Sequence, residues 1–454
     1  MSNQSLRPPS NERETGLFSL RKVFKGASIY GLGEVLVKAS GFFLIPVYTR
    51  VLTPADYGVV GYLQVFLQIA TVIVAFGAHG AQTRYYYENS AHTESLGRFA
   101  FTINLVPVVF ALFVGVPIAL FGSMFDWTIG TADIPFYPFV VLTLWSVVLQ
   151  VLAKNAVSWY RARQQFTVAM VLQVARFLSV TGFSLLLILG FGLGALGRIG
   201  GIAVGMTIFV VLSFTGYTRH FVWRPSWEAL RYAAVFGAPI VVHLLAANIH
   251  NAIDRLVLER YVSLDELGIY TLAFTIGHTL NMFIMAFNQA YQPSYYRLMS
   301  SKRKDKDSQV VRTFKAWLAL ITAIASVGIL FGGPFLRVFA GPRFAATIDV
   351  FPWIILAGFM GGFYFFFSTP IFYFKRTKYL PAITGASAAV NIGLNLLLIP
   401  VWGIVGAAIA TVVSHVAQSG LALMIGNRLY RTRWPYGWSL LSVAIVAVAL
   451  WLVV

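Results

Sequence analysis

Apolar residues fill this chain in long runs, broken at intervals by short polar and basic segments. The runs are about 20 residues or more, the length a helix needs to cross a hydrocarbon core roughly 30 Å thick. Thirteen candidate spans emerge, near 28–49, 57–79, 99–122, 137–158, 168–190, 195–217, 232–256, 267–290, 313–333, 348–372, 380–400, 403–426 and 437–454. In lipid a helix satisfies its backbone polar groups within itself, so the pattern predicts a bundle of membrane-spanning α-helices. The first 27 residues are polar, contain Pro8-Pro9 and show no small-residue cleavage site behind a short apolar core. They read as a tail before an uncleaved first helix, not as a signal peptide.

The pattern also occurs twice. The link Arg50-Val-Leu-Thr53-Pro-Ala-Asp56-Tyr-Gly58-Val returns 210 residues later as Arg260-Tyr-Val-Ser263-Leu-Asp-Glu266-Leu-Gly268-Ile. A second echo sets Leu185-Leu-Leu-Ile-Leu-Gly-Phe-Gly192 against Leu396-Leu-Leu-Ile-Pro-Val-Trp-Gly403. Two copies of one hydrophobic unit suggest two bundles facing each other across a cleft, the architecture of a carrier whose site lies between repeats. The expected fold is all-α: a polytopic membrane protein of two pseudo-symmetric six-helix bundles plus one extra C-terminal span. Its parts are a tail (1–27), a first bundle (28–218), a linker (219–231), a second bundle (232–426) and the extra span (427–454).

Composition narrows the class further. The chain is 58% hydrophobic and 11% charged, with mean hydropathy +0.74, whereas a soluble chain would be about a quarter charged. It has no cysteine, which removes disulfides, iron–sulfur clusters and thiolate metal sites. A net charge of +18 would point to nucleic acid in a soluble protein. Here topology accounts for it. With the tail inside, 25 basic residues fall on the cytosolic side, 5 on the outer side and 4 within spans. That bias puts the amino terminus in the cytosol and requires no nucleic-acid partner. The thirteenth span would then leave the carboxyl terminus outside. The longest polar insert, Tyr291 to Lys315, is expected in the cytosol as a solvated linker whose charge holds topology.

Enzyme signatures are missing. The sequence has no Gly-x-x-x-x-Gly-Lys-Ser/Thr loop and no His-Glu-x-x-His, and no loop is large enough to seat a catalytic set. This favours a transporter needing no cofactor. Ionisable and amide side chains at membrane depth are costly unless paired or wet, so each becomes a candidate. Glu34 and Lys38 lie four apart on the first span, where they can pair with each other or line a wet cleft. The seventh span is the most polar, carrying His243, Asn248, His250, Asn251, Asp254 and Arg255. His243, Asn248 and Asn251 are spaced to share a broad face suited to a cavity wall. Asp254 and Arg255, near the outer end, fit interface snorkelling as well as a substrate site. Gln64 and Gln68 share a face of the second span, with His278 and Asn281 on its repeat partner. Arg176, about two turns into the fifth span, calls for an anionic partner. Asn391 and Asn395 read as interhelical glue, His415 as a packing residue, and Gly197, Gly201 and Gly205 as a ridge for close helix packing.

The segments Gly31-Leu-Gly-Glu-Val-Leu-Val-Lys-Ala-Ser-Gly-Phe-Phe-Leu-Ile-Pro46-Val-Tyr-Thr-Arg50-Val-Leu-Thr-Pro-Ala-Asp-Tyr-Gly58 and Asp254-Arg-Leu-Val-Leu-Glu-Arg-Tyr-Val-Ser-Leu-Asp-Glu-Leu-Gly268-Ile-Tyr resemble polysaccharide transporters of the Wzx type. These O-antigen and exopolysaccharide flippases belong to the multidrug/oligosaccharidyl-lipid/polysaccharide exporter superfamily. The resemblance covers nearly the whole chain in span number and order. It implies a multidrug-extrusion-like fold, alternating access and a polyprenyl-diphosphate-linked oligosaccharide as cargo, in the bacterial cytoplasmic (inner) membrane. It also implies a cationic central cavity, which Lys38 and Arg176 match by residue type. On this reading Lys38 and Arg176 meet the diphosphate, while His243, Asn248, Asn251, Gln64, Gln68 and His278 line the sugar path. Glu34 or Asp254 would couple Na+ or H+. Partners would be the lipid-linked glycan, membrane lipid, a polysaccharide polymerase and a chain-length regulator. The rivals are a cation-coupled multidrug antiporter and a membrane glycan polymerase or ligase. The thirteenth span departs from the twelve or fourteen of relatives.

Overall fold

A computed structural model describes residues 37, 40–125 and 134–454. Glu34 and Lys38 lie outside the described residues, as do the side chains of His243 and Asn251. Among the described residues the regular structure is all helical, and ten helices are long and apolar enough to cross a membrane. It is a multi-pass membrane protein.

The first bundle comprises α1 (Ile45–Val51), α2 (Pro54–Ala75), α3 (Ala78–Glu88), α4 (Thr93–Phe110), α5 (Phe136–Ala162), α6 (Phe166–Leu185) and α7 (Gly194–Tyr217). The second holds α8 (Trp227–Leu258), α9 (Leu264–Gly277), α10 (Thr279–Ser300), α11 (Lys306–Phe339), α12 (Thr347–Tyr373), α13 (Tyr379–Leu429) and α14 (Tyr436–Trp451). The expected eleventh and twelfth spans form α13, whose two arms meet at Gly403 with φ +53° and ψ −132°. Its counterpart in the second echo, Gly192, also has positive φ, at +66°. A reversal in this left-handed region suits glycine, which has no Cβ to clash. α14 holds 16 residues, fewer than the expected last span. At 1.5 Å per residue it is about 24 Å long, short of a hydrocarbon core.

The repeated link is a repeated helix start. Thr53 Oγ1 accepts from Asp56 N at 3.1 Å while Asp56 Oδ2 accepts from Thr53 N at 3.0 Å. Ser263 and Glu266 do the same for α9, at 3.3 and 3.0 Å. Each pair satisfies two otherwise orphaned donors reciprocally. Asp56 also accepts from Ala195 N at 2.8 Å, pinning the start of α7 to the start of α2.

The two bundles touch through residues that are one another's repeat mates. Ala55 N donates to Asp265 Oδ1 at 2.9 Å, across 210 positions. A methyl on Gly268 would stand 1.8 Å from Pro54 O, and one on Gly58 would stand 2.2 Å from Leu264 O. A methyl on Gly61 would meet Thr271 Cγ2 at 2.5 Å. The pairs 55/265, 58/268 and 61/271 therefore follow one helical row at the crossing of α2 and α9. In a twofold arrangement, residues that meet their own copies lie on the axis. The crossing is thus the pseudo-twofold axis made visible.

This contact lies at the helix ends opposite the basic loops 163–165, 218–226, 301–305 and 374–378. At the basic face, α8 joins the bundles. Ala229 and Ala233, on its first turns, share a buried cluster with Tyr85, Phe99, Trp159 and Tyr217 of the first bundle. A methyl on Gly237 would sit 1.9 Å from Phe76 O, so helix and turn touch backbone to backbone. α8 thus begins in the first bundle and ends in the second.

The Gly197–Gly205 ridge packs as its spacing requires. A methyl on Gly201 would stand 2.3 Å from Ser184 Cα, and one on Gly205 2.6 Å from Val180 Cα. Asn395 Nδ2 donates to Asn391 Oδ1 at 3.0 Å, and Asn391 Nδ2 to Ser414 Oγ at 3.4 Å, binding the arms of α13. The expected linker Tyr291–Lys315 is mostly helix. α10 runs to Ser300 and α11 starts at Lys306, because Tyr291, Tyr295 and Met299 bury against the second bundle's core with Trp317 and Phe366. The five residues between are clipped: Arg303 and Gln309 hold the Asp305 carboxyl down to about 2.

Candidate functional site

Ala247, His250 and Asp254 recur at the three- and four-residue spacing that places side chains on one helical stripe. On α8 that stripe walls a cavity of about 300 Å³ inside the second bundle. Phe274, His278 and Asn281 face it from the break between α9 and α10. Gly358, Gly361 and Tyr364 of α12 line it too, with Thr384, Thr411, His415 and Gln418 of α13. Gly361 leaves room for an imidazole: a methyl there would reach 2.8 Å from His415 Nδ1.

The histidines are arranged unequally. His250 stacks on His415 with ring centroids 5.4 Å apart and planes inclined by 27°. His415 Nδ1 lies 3.0 Å from Ala357 O, so this nitrogen carries the hydrogen and Nε2 is left as an acceptor. His250 is 8% exposed, and neither of its ring nitrogens has a partner among the described residues. Leaving a buried polar group unsatisfied costs about 1–3 kcal/mol, so such a group calls for an explanation. The ring of His278 stacks on Phe274 at 5.4 Å.

Asp254 and Arg255 do not snorkel; they are 3% and 8% exposed. The Asp254 carboxylate accepts from the Tyr270 hydroxyl and from Arg255 N at 2.8 Å. The Arg255 guanidinium lies over the Phe274 ring at 4.2 Å, with Nε unpartnered. A carboxylate, imidazoles, amides and hydroxyls thus converge beside an aromatic face. Such a lining can donate to and accept from a neutral, many-hydroxyl ligand at several points, which is how small-molecule sites orient their occupants.

Asp254 and His278, expected as site residues, are therefore brought together here. Asn248 is not among the lining residues; its Nδ2 donates to Leu244 O of the preceding turn at 2.9 Å. Gln64 borders a separate small gap in the first bundle with Val60, Thr143, Ser146 and Ile199, while Gln68 is exposed. Arg176 is half-buried on α6, within electrostatic reach of Lys154 on α5, which in turn reaches His79 on α3. Arg198 is a strut: it donates to Tyr48 Oη and Ser184 Oγ, each at 3.0 Å. His250 stands in the sequence only as one of several polar residues of its span, and His415, expected as a packing residue, lines the cavity. Their pairing is tertiary; the only sequence signal was the polar pair His415 and Gln418 in an otherwise apolar run.

Known proteins give this geometry a setting. Residues 23–299 match the family described as "Polysaccharide biosynthesis protein", and residues 239–397, which include much of the cavity, match "MatE". The chain is 24% identical over 392 residues to "Lsg locus putative protein 1" of Haemophilus influenzae, covering 83% of this chain and 87% of that protein. It is 23% identical over 427 residues to the "Probable low-salt glycan biosynthesis flippase Agl15" of Haloferax volcanii, covering 93% and 86%. In fold it is similar to the lipid II flippase MurJ in an inward closed conformation, with TM-score 0.72, 14% identity and 93% and 91% covered. An inward-facing multidrug resistance MATE transporter of the MOP superfamily gives TM-score 0.70 at 15% identity, covering 88% and 94%.

Proposed function

The chain belongs to the polysaccharide biosynthesis protein family, and from that premise we propose that it flips polyprenyl-diphosphate-linked oligosaccharides across the bacterial cytoplasmic membrane. The observation that carries this reading is the polar cavity on a two-bundle membrane fold. A sugar head must stay out of hydrocarbon while a polyprenyl tail can remain in it. The cavity wall of His250, His278, Asn281, His415 and Gln418 offers hydrogen bonds to sugar hydroxyls. Lys38 and Arg176 are the residues for the diphosphate, with Lys154 beside Arg176 adding to the positive potential. Na+ or H+ coupling falls to Glu34 or Asp254. The amino terminus and the basic face are cytosolic, as the 25-to-5 distribution of basic residues supports. A polymerase and a chain-length regulator would take up the product on the far side.

Deleting the gene should leave sugar-diphosphate-lipid on the cytosolic leaflet and no polymer at the surface, with glycosyltransferase activity intact in membranes. The match of residues 239–397 to the MatE family favours one second reading, a cation-coupled multidrug antiporter. A deletion strain that makes normal polymer but becomes hypersensitive to cationic dyes would establish that reading in place of the first.

A further inference from the structure

A second pocket, of about 450 Å³, opens at the basic face of the first bundle and has no part in the cargo reading. Tyr86 and Ser90, the first turn of α4, the end of α5 and the turn after α7 enclose it. Its chemistry is cationic and partly fixed in advance. Arg163 lies over the Trp159 ring at 5.9 Å and contacts His220 Nε2 at 2.8 Å. Trp159 and His220 are themselves in ring contact at 5.6 Å. Arg219 stands exposed at the rim. The only carboxylate in the wall, Glu94, is taken by Arg98 at 2.6 Å, which leaves the two arginines to an outside anion.

A further observation points to an anion here. α4 is 18 residues long, starts at Thr93 in the pocket wall, and its N-cap residue His92 makes no side-chain cap bond. The amide hydrogens of such a first turn attract phosphate.

The surroundings set the depth. Tyr87, Trp223 and Trp227 flank the pocket in sequence and are 56%, 67% and 77% exposed. Exposed tyrosine and tryptophan mark the headgroup level of a bilayer. We infer that the pocket formed by Arg163, Arg219, His220 and the amino end of α4 binds a phosphodiester, supplied by the headgroup of an anionic membrane lipid. Basic pockets between helices on the cytosolic side suit such headgroups, and the volume exceeds what a bare phosphate needs.

The test uses the full-length protein in detergent, titrated with phosphatidylglycerol, phosphatidylcholine or soluble glycerol phosphate while thermal stability is followed. Phosphatidylglycerol alone should stabilise the wild-type protein. Arg219→Gln, an exposed change that leaves packing intact, should weaken the apparent affinity about fivefold, the effect of one basic residue near an anionic surface. Arg163→Gln with Arg219→Gln should abolish the preference for the anionic lipid. Equal stabilisation by both lipids, or an unchanged response in the double variant, overturns the site. Full stabilisation by glycerol phosphate without lipid overturns the lipid source.

Discussion

At the scale of single residues, His250 separates stability from function. Its ring packs on His415, yet neither nitrogen is satisfied among the described residues. Phenylalanine would keep the stacking and remove an unsatisfied buried group, so His250→Phe should leave the melting temperature unchanged or raise stability by about 1 kcal/mol. Surface polymer should nevertheless fall, because the cavity loses a donor and an acceptor. Asp254→Asn should behave in the opposite way. It weakens a charge-assisted bond to Tyr270 that is worth about 1.5–3 kcal/mol, and the protein should melt earlier. A His250→Phe protein that melts low but transports normally would mark that ring as packing alone.

Among the elements, glycines divide into those that hold the helices together and those that merely interrupt them. Gly268→Ala forces a methyl to within 1.8 Å of Pro54 O, so α2 and α9 must part; overpacking of this kind costs about 1–3 kcal/mol. Transport should drop, and cysteines introduced at the crossing should become reactive to a thiol reagent. Gly393 and Gly420, on the arms of α13, have nothing within 4 Å, so alanine there should be neutral or stabilise the helix by up to about 1 kcal/mol. Equal effects at all three positions would refute the crossing as a seam. These elements were largely legible in the sequence. Long apolar runs report spans, and Thr53-x-x-Asp56 and Ser263-x-x-Glu266 are readable capping boxes within the repeated motif. The cavity was less legible, since a period of 3.6 shows which residues share a helix face but not which helix that face meets. Asp254 and His278 could be chosen for polarity alone, whereas the partnership of His250 with His415 depends on how α8 leans on α13. Small apolar residues at the start of α8 fit either bundle, and packing sets Ala229 and Ala233 in a buried cluster with residues of the first.

At the scale of the whole molecule, the two bundles are held at opposite faces by unlike means, a backbone crossing at one and the long helix α8 at the other. Asp265 supplies a side-chain bond between repeat mates, capping the start of α2 from the other bundle. Losing such a cap costs about 1 kcal/mol, so Asp265→Ala should shift the balance between closed and open faces roughly fivefold. The chain has no cysteine, so a single cysteine at Asn281 in the cavity reports that shift through its labelling rate from either side of the membrane. Unchanged labelling would show that the cap does not hold the face shut. The crossing also bears on how such a chain arose. In a chain built by duplicating and fusing a six-helix unit, positions 58 and 268 would begin as one residue meeting its own copy, and any change there would strike both sides at once. Fusion would release that constraint unevenly. At the tightest point both copies are still glycine, whereas Gly61 and Thr271 have become a hollow and the bump that fills it, and Ala55 and Asp265 a donor and its acceptor.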